Sequence, residues 1–64
     1  MKEREMLNTL EEARLYSASI GDTVWAFSNG EHVVFTTGEF SRNYLSTHGY
    51  WIAAIFENGH RVEA

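Results

Sequence analysis

The sequence predicts a small α+β domain, an N-terminal amphipathic helix followed by four antiparallel strands, on three observations. Residues 3 to 16 are good helix formers, and Met6, Leu7, Leu10 and Ala13 fall within one arc of a 3.6-residue wheel. Two β-branched and aromatic runs meet across Asn29-Gly30, and a second pair of runs meets across Asn58-Gly59. Such an Asn-Gly pair between strand-like runs is a strong local hairpin signal, because Asn tolerates and Gly freely adopts the positive φ that a type I′ turn needs. Finally, two Trp, four Phe and three Tyr must carry the core of a 64-residue chain that has no Cys to staple it.

In order along the chain, the helix opens the N-terminal segment, residues 1–20, and the β-rich part covers residues 21–64 of a single domain. Thr9-Leu-Glu-Glu12 matches a capping box that would start the helix late; the early start is the better fit to the apolar arc. Leu15 and Tyr16 lie off that arc, residues 17–21 interrupt the helical pattern, and Gly21-Asp22 turns the chain into the first strand. A two-residue loop at Asn29-Gly30 pairs Ser28 with Glu31, Phe27 with His32, Ala26 with Val33, Trp25 with Val34 and Val24 with Phe35. Gly38 permits a bend. Phe40, Tyr44, Leu45 and His48 then have helical spacing behind a Ser41 cap, with Gly49 as a stop, which describes one or two helical turns or a loop. Residues 50–56 make the third strand, and Asn58-Gly59 returns the chain into residues 60–64.

The segments from Phe27 to Val33 and from Phe56 to Val62 align without a gap, so the faces of the two hairpins can be matched by position. One face then holds Val24, Ala26, Val33 and Phe35 with Ala53, Ile55 and Val62, which is apolar throughout and predicts the core. The opposite face collects Trp25, Phe27, His32 and Val34 with Tyr50, Ile52, Phe56 and Arg61.

Gly21-Asp-Thr-Val-Trp-Ala26, Asn29-Gly30, the run from Phe35 to Phe40 and the run from Ala54 to Val62 together resemble the successive strands of a small SH3-like barrel of the Tudor, PWWP and KOW kind. The resemblance covers residues 21–64 and implies a four-stranded antiparallel meander curled toward a barrel. It also implies a binding role, since those families are generally binding modules and Tudor members often hold a methylated side chain in an aromatic cage. On that pattern Phe27 and Phe56 fall where ring-bearing strands approach the recognition end, and His32 falls near a position where many Tudor members place a Trp.

Charge and motif content narrow the function. The net charge is −4, and residues 21–64 hold only Arg42 and Arg61 against five acids, the wrong sign for ordinary phosphate-backbone binding. No apolar run is long enough for a signal sequence or a membrane span, so a cytoplasmic chain without a membrane partner is expected. His32, His48 and His60, spaced by 16 and 12 residues, match no compact zinc pattern. Thr36, Thr37 and Ser41 have no base and orienter at motif spacing, so neither catalysis nor a cofactor is expected. The expected function is a non-enzymatic interaction module, an adaptor, regulator or inhibitor of the type common among phage and mobile-element accessory proteins. Its partner would be another protein, and self-association as a homodimer or higher oligomer would supplement a small core. The candidate partner-binding residues are Trp25, Phe27, His32, Tyr50, Phe56 and Arg61. Two alternatives remain. One is a nucleic-acid binder stacking bases on Trp25, Phe27, Tyr50 and Phe56 with Arg42, Arg61 and His32 at phosphates; the other is an enzyme whose site forms only between subunits.

Overall fold

The structure, a computed structural model, describes residues 3–62, with side chains from Leu7 onward. Its elements are α1 (Glu3–Ile20), β1 (Thr23–Ser28), β2 (Val33–Thr36), α2 (Glu39–Thr47), β3 (Trp51–Glu57) and β4 (His60–Val62). The α+β class and the four antiparallel strands are as expected. The strand order is β2-β1-β3-β4, so the sheet is open, with β2 and β4 as its edges. This differs from a linear meander: β1 lies inside the sheet, between β2 and β3. The nine residues of α2 account for the difference. At about 1.5 Å per residue a helix of that length carries the chain past the roughly 10 Å between β2 and the strand beyond β1.

Helix α1 runs past Tyr16 and takes in residues 17–20, where the sequence pattern suggests an interruption. Ser17 stays helical because its hydroxyl donates to the Arg14 carbonyl at 2.7 Å, one turn back. The helix stops at Gly21, whose φ of 64° turns the chain so that the Asp22 N–H, like that of Gly21, reaches the Ser17 carbonyl, at 3.3 and 2.9 Å. The side of α1 that meets the sheet holds Leu10, Ala13 and Ser17, the last two fully buried, while Leu7 is exposed. The expected stripe is thus displaced toward the C-terminal end, and the side chain of Met6 lies outside the described residues. Small residues at 13, 17 and 18 let the helix backbone come close to the strands.

The closest approach is at the second hairpin. Ser17 Oγ accepts the Gly59 N–H at 2.9 Å, and Arg14 Nη1 donates to the Gly59 carbonyl at 3.3 Å. Glu11 holds Arg14 in place through hydrogen bonds to Nε at 3.1 Å. The same hydrogen bonds keep the Glu11 carboxyl below its ordinary range. A Cβ on Gly59 would stand 3.0 Å from the Cβ of Ala18. Helix and turn therefore touch where only a glycine fits.

The two Asn-Gly pairs form different turns. Asn58 and Gly59 have φ of 49° and 85°, both positive, and Glu57 pairs with His60, as a two-residue type I′ turn requires. At the first hairpin only Gly30 has positive φ. The Asn29 side chain instead accepts the N–H groups of Glu31 and His32 at 2.9 and 2.7 Å, which opens the loop to four residues. Ser28 then pairs with Val33, Phe27 with Val34, Ala26 with Phe35 and Trp25 with Thr36. The register moves by two residues from the expected one. Because side chains alternate with a period of two, every residue keeps its face.

On β3 the expected faces do not hold. Ile55 pairs with Trp25 and Phe56 with Val24, and a bulge at Ala53 separates the Ala26–Ala54 pair from the Phe27–Ile52 pair. Phe56 therefore faces α1 with Val24, Ala26, Val33 and Ala54, in one buried cluster that includes Ala13 and is flanked by Leu10 and Phe35. Ile55 and, by its pairing, Val62 lie on the opposite face with Trp25, Phe27, Val34 and Ile52. Matching the hairpins by sequence put Ile55 and Val62 in the core and Phe56 opposite. The pairing of β1 with β3 reverses those three positions.

Gly59→Ala should cost more stability than Gly30→Ala in urea unfolding. Both pay about 1–2 kcal/mol for positive φ, but only the methyl at 59 must displace α1, since at 30 the nearest atom is 3.5 Å away. Equal losses would mean that α1 does not constrain the turn. Ser17→Ala, which leaves the Gly59 N–H without its acceptor, should cost about 1–3 kcal/mol by the same measurement.

Candidate interaction surface

The six residues singled out from the sequence do not form one surface. Phe56, 4% exposed, belongs to the cluster beneath α1, and Phe27, 1% exposed, is buried on the other face of the sheet. Trp25 and Tyr50 are half-buried, and His32 and Arg61 are exposed. His32 follows the Asn29 loop next to β2, whereas Arg61 sits on β4, the opposite edge, with its guanidinium donating to the Ala53 carbonyl at 3.3 Å. Trp25 and Phe27 do share a face. The Trp25 ring is occupied, however, by the Arg42 guanidinium, whose central carbon lies 4.4 Å from the ring centroid.

That cation–π contact sets the orientation of α2. Residues two apart on a helix point about 200° apart, so fixing Arg42 on Trp25 turns both Phe40 and Tyr44 away from the sheet. Phe40 is 83% exposed and Tyr44 54%, and no residue of α2 is buried. The Nε of Arg42 is buried without a hydrogen-bond partner, which leaves ring contact as its compensation. Gly38, with φ −89° and ψ 144°, is extended and precedes the helix without a side-chain cap, so Ser41 is an internal residue and not the cap. The far end is tied down. His48 stacks on Tyr44 at 4.0 Å between centroids, its Nδ1 lies 2.7 Å from the Tyr44 carbonyl, and Gly49 at φ 84° ends the helix as expected.

Between α2 and β2 lies an apolar groove of about 510 Å³, bounded by Val34, Phe35 and Thr36 on one side and by Phe40, Tyr44 and Leu45 on the other. The helical spacing of Phe40, Tyr44 and Leu45 is visible in the sequence. Their exposure is not, because it depends on the Arg42–Trp25 contact between residues 17 positions apart. On the α1 side of the same strand, the Tyr16 ring packs against Phe35 with centroids 5.9 Å apart, and Tyr16 remains exposed. Apolar groups thus flank β2 on both faces.

Among the described residues, no three His, Asp or Glu side chains come together as a metal site. No described helix is long and apolar enough to cross a membrane. Compared with family models, with curated proteins and with solved structures, the chain matches none.

The two kinds of ring should respond differently to truncation. Phe27→Ala should lose about 3–5 kcal/mol in urea unfolding, while Phe40→Ser, compared with the parent at a concentration low enough to keep both chains monomeric, should stay within about 0.5 kcal/mol of it. A large loss in the second variant would mean that Phe40 supports the fold and is not a free surface.

Proposed function

We propose that this chain is a small non-enzymatic interaction module, an adaptor, regulator or inhibitor that works by docking on another protein in the cytoplasm. The observation that carries this reading is the exposure of Phe40 and Tyr44 beside Val34 on a chain of 64 residues. A small protein does not keep two adjacent rings in water for the sake of its own core, and contiguous apolar patches of this kind mark interaction sites. Aromatic side chains are enriched among the residues that dominate binding energy. The partner surface on this reading is the α2–β2 groove, with Trp25 acting indirectly by seating Arg42. Arg42 and Arg61 are both engaged within the chain, at Trp25 and at the Ala53 carbonyl. That engagement weighs against a role for them at phosphates.

A photoreactive phenylalanine analogue placed at position 40 tests this in the native host, with the same analogue at Glu12 on the exposed side of α1 as control. Discrete adducts at 40 and none at 12 are expected. The same adduct pattern at both positions would remove α2 as the docking surface.

A further inference from the structure

We propose that the open edge of β2 pairs with β2 of a second copy, antiparallel across a two-fold axis, joining two four-stranded sheets into one. This rests on the interaction reading and names one partner for the same region. The Asn29 N–H donates to the His32 carbonyl at 3.2 Å, which fixes the alternation of hydrogen bonds along the first hairpin. In that alternation Val34 and Thr36 turn their main-chain groups toward β1, while Val33 and Phe35 turn theirs outward. Among the described residues, neither Val33 nor Phe35 gives its outward N–H to another group. What fits such an edge is a strand.

Apart from its four-residue length, the edge lacks the usual guards against pairing. Residues 33–38 carry no charge and no Pro, and four of the six are β-branched. The other edge, β4, is three residues long and includes His60 and Arg61. A foreign strand added to β2 would only move the exposed edge outward by one strand. Two-fold pairing removes it from both molecules at once.

The flanks of β2 also suit a copy of itself. An axis perpendicular to the sheet keeps both α1 helices on one side and both α2 helices on the other, so Tyr16 and Phe35 meet their equivalents, as do Val34, Phe40 and Tyr44. The exposed parts of Tyr16, Val34, Phe40 and Tyr44 amount to roughly 400 Å² of side chain. The strand backbone and the loop ends would have to supply the rest of the roughly 800 Å² per partner of a standard interface. That is a substantial part of the 4406 Å² surface of the chain. The side chains of the patch are uncharged, and exposed Glu31 and Glu39 flank β2 at its two ends.

Sedimentation of the full chain over a range of concentrations, beside Val34→Lys, Phe40→Ser and the control Trp51→Ser, tests the proposal. The parent and Trp51→Ser, whose ring is exposed at the start of β3, should reach twice the mass of a single chain. Val34→Lys and Phe40→Ser should weaken dimerisation at least about tenfold with unchanged circular dichroism. If Val34→Lys fails to fold, Phe40→Ser decides, together with amide exchange at Phe35 in the parent, which should slow as concentration rises. A parent that stays monomeric at high micromolar concentration, or a dimer that survives in the folded variants, overturns the pairing. A monomer that still forms adducts through position 40 with another protein would end the self-pairing and leave the interaction reading standing. A monomer with no such adducts would end both.

Discussion

The fold depends on the contact between Ser17 and Gly59. The Ser17 hydroxyl donates a hydrogen bond to the Arg14 carbonyl and accepts one from the Gly59 N–H, so it is paired both as donor and as acceptor and can be fully buried. This is where the polar backbone of a turn is brought under a helix without leaving a donor unsatisfied. Once that contact is made, Ala13 and Leu10, one and two turns back on the same side of α1, fall over Val24, Ala26 and Phe56. A larger residue at 17 or 18 would lift the helix off the sheet. The core is built from small and medium side chains for the same reason, with Phe56 as its largest fully committed ring.

On the other face, one cation decides what is hidden and what is shown. Packing Arg42 on Trp25 uses the flat guanidinium as a spacer between helix and sheet, and its three-carbon stem covers apolar surface that water would otherwise meet. Phe27 and Ile55 are buried on this face even though α2 buries none of its own residues. The sheet is therefore covered unequally. On the α1 side the helix is anchored in the core, whereas on the α2 side the covering helix leaves its rings outward and a groove beside the edge strand.

Much of this was readable from local chemistry, and the parts that were not share a cause. The Asn58-Gly59 turn, the Gly49 helix stop and the helical periodicity all depend on residues within one turn of each other. At Asn29 the same dipeptide gives another turn, because the Asn29 side chain captures two backbone N–H groups that a tight turn would have left to other acceptors. The faces of β3 were misread because a bulge at Ala53 has no signature in the residues around it and because β1 pairs with β3, not with its sequence neighbour alone. The burial of Phe56 and the separation of His32 from Arg61 follow from that strand order, and the exposure of Phe40 follows from the Arg42–Trp25 contact. Six residues chosen as one patch consequently divide among the core, both faces and both edges.

The strand order also has a temporal consequence. The central pairing joins Val24 to Phe56, and the helix clamp joins residues 42 positions apart, so the contacts that make the sheet cohere are among the most distant in the sequence. During biosynthesis α1 and the first hairpin can meet through Ala13, Val24 and Val33, but the core lacks Ala54 and Phe56, and the helix lacks its Gly59 contact, until residues 54–59 arrive. A chain stopped short of Gly59 is not a smaller version of this domain. It is a helix and a hairpin around an incomplete core, with apolar groups exposed of the kind that chaperones and proteases recognise.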